Sequence, residues 1–121
     1  MQALGVEIEA WEAGFVRLAA PVAPWHANRG GLVHGGITSG LLDTAAGLAG
    51  TFTPPGEPAR FAVTLSLTVN YLEPPKGGEL VAEGRVMRAG RRVFFADANL
   101  LDRQGQRLAN GSGVFRLMPA R

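Results

Sequence analysis

The sequence predicts an α+β fold in which one antiparallel sheet wraps around one long helix. A single stretch opened by Gly35-Gly36 runs without proline to Thr53 and holds the only convincing helical pattern. Residues 63–71 alternate strictly, placing Val63, Leu65, Leu67, Val69 and Tyr71 on one face and small polar groups on the other. Strand-like runs flank the helix with no linker, internal repeat or low-complexity tract between them, so residues 1–121 are read as one domain.

The first element, Leu4 to Ala10, alternates weakly and forms a hairpin with Phe15 to Ala19 across Glu12-Ala13-Gly14; Pro21 and Pro24 end it. On the helix, Ile37, Leu41, Thr44 and Leu48 make a bulky stripe. Gly36, Gly40, Asp43, Gly47 and Gly50 make a second stripe almost without side chains. Each glycine inside a helix costs about 0.5–1 kcal/mol relative to alanine, so something must approach closely there: a sheet or partner helix packed tightly, a ligand channel past Asp43, or both. After the strand at 63–71, the runs Glu79 to Arg88, Arg92 to Leu101 and Arg107 to Leu117 are separated by turn residues and read as an antiparallel meander.

Composition removes several function classes. No cysteine is present, which excludes disulfides, thiolate catalysis and zinc-thiolate sites, and two histidines are too few for a self-contained histidine metal site. No metal and no cofactor are therefore expected. No segment approaches the ~18 apolar residues of a membrane span and the amino terminus lacks a secretory pattern, so a cytoplasmic protein is expected. The net charge is only +2, with eleven arginines and one lysine spread along the chain, which argues against nucleic acid as a partner. One local cluster, Arg85, Arg88, Arg91 and Arg92 around Ala89-Gly90, has two readings: a solvated hairpin end, or a holder for the phosphates of a small anionic ligand.

Asp43 is the residue that most needs a chemical reason. It is flanked by Leu41, Leu42, Ala45, Ala46 and Leu48, and an unpaired carboxylate in an apolar setting carries a desolvation cost of several kcal/mol. A helix start at Gly35-Gly36 has no intrahelical acceptors for its first N–H groups, and the positive end of the helix dipole behind them is expected to favour negative charge developing on an oxygen. Asp43 lies about two turns further along, ~10 Å away, too far for both to act on one carbonyl unless they come from different copies of the chain. A symmetric dimer solves that geometry.

Asn28, His34-Gly35-Gly36 six positions on, and Asp43 nine residues after the histidine together resemble the signature of hotdog-fold acyl-CoA thioesterases of the phenylacetate-degradation, PaaI-like, group. The strand ending Asn70-Tyr71-Leu72-Glu73-Pro74, the turn at Gly90-Arg91 and the Gly-rich last strand extend the resemblance over essentially the whole chain. The resemblance implies hydrolysis of an acyl-CoA, aromatic or of short to medium length, to free acid and CoA. It implies that the Gly35 N–H polarises the thioester carbonyl, that Asn28 holds substrate or water, and that Asp43 of the other subunit acts as base or nucleophile. Thr64 matches a position that orients the water, although strict alternation from Val63 places it on the polar strand face, where a plain β-branched strand residue is the simpler reading. His34 matches the motif while also suiting a structural role in fixing the loop. Arg88, Arg91 and Arg92 become candidates for binding CoA.

Trp25 suits a substrate wall or the core, and His26, Glu73 and Asp97 suit loop, edge or solvated positions. A homodimer at minimum, with a tetramer of two dimers as the expected assembly, follows from the short chain and a sheet with two faces to cover. Two other functions compete: a non-catalytic acyl-CoA binding domain, and a hotdog enoyl-thioester hydratase or dehydratase, whose usual motif pairing a histidine with an acid is not found here.

Overall fold

The computed structural model describes residues 5–21, 35–75 and 78–119. Strands β1 (Glu7–Glu12) and β2 (Phe15–Pro21) form the expected hairpin, turned at Gly14, whose φ of +81° suits a residue without a Cβ. Helix α1 (Gly35–Ala49) follows, then β3 (Ala62–Tyr71), β4 (Glu79–Ala89), β5 (Val93–Asp102) and β6 (Arg107–Leu117). The strands pair antiparallel in the order β1-β2-β4-β5-β6-β3. The meander is β4-β5-β6, while β3, which precedes it in sequence, lies beyond β6, so that β1 and β3 are the two edges of the sheet. No helix among the described residues is long and apolar enough to cross a membrane.

The helix ends at Ala49, four residues short of the Pro-free limit at Thr53. Gly50 and Thr51 close the last turn by donating to the Gly47 and Leu48 carbonyls at 3.3 and 3.2 Å. The Leu48 carbonyl also accepts a hydrogen bond from the Trp11 indole nitrogen at 2.8 Å, a second and shorter bond to an acceptor at the end of the helix. The same indole meets Phe52 edge to face at 5.7 Å, so β1 is fastened across the carboxyl end of α1.

The buried face of α1 is Thr38, Leu41, Leu42, Ala45, Ala46 and Ala49. The bulky stripe expected at Ile37, Leu41, Thr44 and Leu48 contributes only Leu41 to it, with Ile37 and Leu48 packed partly buried at its margins, and the three alanines let the helix come in close. At Gly84 on β4, a Cβ would overlap the Ala45 carbonyl of the helix backbone. Phe94 on β5 and Phe115 on β6 stack at 5.2 Å with 15° between their planes, beneath the glycines of the second stripe. A Cβ at Gly47 would stand 3.5 Å from the Phe115 ring, and one at Gly50 would run into Phe94. Tight packing therefore accounts for these two glycines. Replacing Gly84 with Ala is expected to cost at least about 1–3 kcal/mol, the usual range for overpacking a core, read as a lowered urea midpoint with an unchanged slope.

On the sheet face opposite α1, charged residues tie the amino-terminal hairpin to the rest of the sheet. Arg17 bridges Glu9 at 3.1 Å and Glu83 at 3.0 Å, while Arg103 bridges Glu9 at 2.7 Å and also meets Glu79. The hydrogen bond from Arg103, foremost, holds the Glu9 carboxyl below its ordinary value, and Arg103 is raised in turn by Glu9 and Glu79. Because Glu9 is depressed on folding, its stabilising effect is present above its unfolded pKa and is lost as pH falls through the folded one. The melting temperature of Glu9→Gln should accordingly lie below that of the unaltered protein at neutral pH. That gap should close in acid and shrink at ~1 M salt, as measured by thermal melts across pH.

Candidate functional site

Asp43 sits on the flank of α1, between the buried Leu41-Leu42 and Ala45-Ala46 pairs, and is half-buried rather than sunk among the leucines around it in sequence. Its desolvation is correspondingly less than expected. Its Oδ1 accepts a hydrogen bond of 2.7 Å from the Thr64 hydroxyl on β3. Both residues line a cavity of about 240 Å³, together with Gly47, Leu48, Phe61 and Phe115. The glycine stripe thus serves both readings, since Gly47 admits the Phe115 ring and leaves room in the cavity next to Asp43.

The Thr64 contact contradicts strict alternation, and a β-bulge is the reason. Thr64 lies opposite Phe115 and Ser66 opposite Val114, which leaves Leu65 as the extra residue, 56% exposed. Beyond the bulge, Leu67, Val69 and Tyr71 face the helix, opposite Gly113, Gly111 and Ala109; before it, Ala62 and Thr64 do. The inward set changes from even to odd numbers at Leu65, so Val63 and Leu65 do not share a face with Leu67 as the sequence pattern implied. Thr64 is turned toward Asp43.

At the start of α1, the Tyr71 hydroxyl donates to the Gly35 carbonyl at 3.1 Å, and its ring lies 3.6 Å from where a Gly35 Cβ would stand. Tyr71 thereby ties the end of β3 to the peptide that opens the helix. It was not among the expected site residues, although an amphipathic tyrosine ending an apolar strand face was a usable signal. Asn28 and His34, with Trp25 and His26, lie outside the described residues.

The basic cluster divides. Arg85 lays its guanidinium over the Phe15 ring at 4.5 Å, in a cation–π contact. Arg88, Arg91 and Arg92 line one open surface depression with Phe95. Arg60, just before β3, lines the Asp43 cavity and carried no signal in its Pro-rich surroundings.

Residues 30–109 match the family model described as the thioesterase superfamily. A Halobacterium salinarum protein described only provisionally as an esterase is 37% identical over 123 residues, covering 94% of this chain and 81% of its own. The medium/long-chain acyl-CoA thioesterase YigI of Escherichia coli K12 is 28% identical over 127 residues, covering 94% and 82%. Among solved structures, smu.793 from Streptococcus mutans, bound to acetyl CoA, superposes with a TM-score of 0.82 at 27% identity, covering 96% of this chain and 90% of that one. The E. coli PaaI protein of the phenylacetic acid degradation operon shares the fold with a TM-score of 0.85 at 24% identity, covering 98% and 83%. The six-stranded sheet with α1 packed against it is the hotdog fold of these relatives.

The bulge has a direct test in single-residue deletions. Removing Leu65 leaves a regular strand with Thr64 and Leu67 both still inward, so this variant should fold with a melting temperature within several degrees of the parent. Removing Thr68 forces either Leu67 or the Val69-Tyr71 pair to the opposite face and should abolish the cooperative melt, followed by circular dichroism.

Proposed function

Because this chain belongs to the thioesterase superfamily, we propose that it hydrolyses an acyl-CoA thioester to the free acid and CoA, with Asp43 as the central group. The observation that carries this reading is the Asp43 carboxylate, held by the Thr64 hydroxyl at 2.7 Å on the wall of a partly apolar cavity. The name of YigI and the acetyl CoA bound to smu.793 support acyl-CoA as the substrate class of this reading.

Thr64 donates to one carboxylate oxygen and fixes the orientation of the group, leaving Oδ2 without a hydrogen bond among the described residues. Acting as base, Asp43 takes a proton from water while the water oxygen attacks the thioester carbon. The C–S bond then breaks, and the thiolate of CoA leaves and is protonated. Acting as nucleophile, Asp43 would instead form a mixed anhydride with release of the thiolate, and water would cleave it in a second step. In both forms the negative charge on the carbonyl oxygen is placed at the Gly35 N–H, at the positive end of α1, next to the Gly35 carbonyl that Tyr71 holds. The motif spacing adds Asn28 and His34 to the proposed set of residues.

Gly35 and Asp43 are separated by two turns of one helix, so each site in this reading combines Gly35 and Asn28 of one protomer with Asp43 and Thr64 of its partner. The assembly is at least a dimer, with a tetramer of two dimers as its fuller form. The spacing of Asn28, His34-Gly35-Gly36 and Asp43 supports the PaaI-like group, and the Phe61 and Phe115 walls suit a small aromatic or short to medium acyl chain. Arg88, Arg91 and Arg92 are assigned to the CoA phosphates.

Thiol release from a panel of aromatic, short, medium and long acyl-CoA esters tests the activity, and no turnover above background on any of them would overturn it. On the best substrate, Asp43→Asn should lose roughly 10²–10⁴-fold in kcat while folding and binding normally. Thr64→Val, which removes one hydrogen bond to a charged group, should lose about 10- to 100-fold. Mixed dimers of Asp43→Asn with Asn28→Ala subunits should recover part of the activity, since one of their two sites keeps both residues.

A further inference from the structure

Arg60, Arg91, Arg92 and Arg116 line one surface basin of about 490 Å³ where β3 begins and β6 ends. The segments that carry them are stitched together by main-chain hydrogen bonds. Leu117 donates to the Arg92 carbonyl at 2.7 Å, and Met118 donates to the Phe61 carbonyl at 3.0 Å. The Arg60 amide is itself held by the Thr53 hydroxyl at 3.1 Å; that hydroxyl donates to the Thr51 carbonyl, and the Thr51 hydroxyl reaches back to Gly47 on α1. Arg60 is thus anchored to the helix that carries Asp43.

No carboxylate lines this basin. Arg17 and Arg103 are bound to glutamates, whereas none of these four guanidiniums makes an ion pair among the described residues. Like charges gathered in one concavity repel one another, and a bound polyanion relieves that repulsion. Arg60 also lines the Asp43–Thr64 cavity, so basin and cavity meet at one side chain. A concavity of this size suits a nucleotide, while an acidic protein surface would need a broader face.

We propose that Arg60 and Arg116 bind the phosphorylated nucleotide end of the thioester substrate, with Arg60 setting where the chain of the substrate turns from the basin into the cavity. The proposal rests on the acyl-CoA reading above and adds two residues to its binding site. It makes a thioester carrying the nucleotide the preferred substrate over one presented on a carrier protein or on a bare thiol.

The test uses the unaltered protein with Arg60→Gln, Arg116→Gln and the double variant, each given the same acyl group on CoA and on N-acetylcysteamine, which lacks the nucleotide. Each single variant should lower kcat/KM for the CoA ester about tenfold more than for the N-acetylcysteamine ester, chiefly through KM, and should flatten the salt dependence of KM. Equal losses on both substrates, or an unchanged KM for the CoA ester, would overturn the proposal, as would a preference for the acyl group on a carrier protein over CoA. Calorimetric titration with CoA separates this inference from the reading it rests on. A protein that binds CoA at least tenfold more tightly than its double variant, yet hydrolyses no ester, keeps the basin and defeats the hydrolase. One that turns over acyl-CoA with equal CoA affinity in all variants keeps the hydrolase and defeats the basin, and one that neither binds nor hydrolyses defeats both.

Discussion

The distance between α1 and the sheet is set by backbone meeting backbone, and the other features of the molecule depend on it. The Ala45 carbonyl takes the space a side chain on β4 would need at Gly84. At that separation most of the fully buried residues between helix and sheet are alanines and leucines, and the two phenyl rings that fit lie flat against each other below glycines. A helix seated so low brings its flank, and not only its buried face, level with the edge of the sheet. Asp43 is on that flank, which is how a residue of the helix comes within hydrogen-bond reach of a hydroxyl on β3.

The candidate site is therefore a product of the rim rather than of the core. Thr64 lies on an edge strand, Gly35 and Tyr71 meet where the helix begins and that strand ends, and Arg60 precedes the strand's first residue. Edge placement leaves these groups open to a ligand while the neighbouring strand β6 and the buried aromatic pair keep their backbones in register.

Most of the fold was legible in the sequence because alternation and glycine punctuation are local signals. The bounds of β6 were read to the residue, and those of the other elements differed by a few residues at their ends. Strand order was less accessible, since nothing local to residues 62–71 says that this strand pairs with β6 and not with β4, its successor. The motif around Asp43 stood out because one carboxylate interrupts an apolar pattern. Thr64 was misplaced for a definite reason. Period-2 reading assumes one residue per ladder step, and Leu65 breaks that count while preserving the hydrophobic look of the strand. Arg60 and Tyr71 become site neighbours only through tertiary contact. The cluster at residues 85–92 looked continuous along the chain, yet the sheet assigns Arg85 to an aromatic ring and brings Arg116, far away in sequence, alongside Arg91 and Arg92.

The two edges of the sheet differ in a way that bears on how copies of the chain can meet. Both edges carry a bulge, β1 between Ile8 and Ala10 and β3 at Leu65, but β1 also lies under the Arg17 and Arg103 ion pairs, whose charges discourage a further strand from adding there. Edge β3 carries no charged side chain over its ten residues and pairs on its outer side with no strand among the described residues. A sheet guarded on one side and open on the other can be extended only once. Two copies joined through their β3 edges would each consume the other's free edge and present only guarded ones outward. Growth would then stop at a closed pair, which spares a strand-rich protein the runaway polymerisation that two open edges invite.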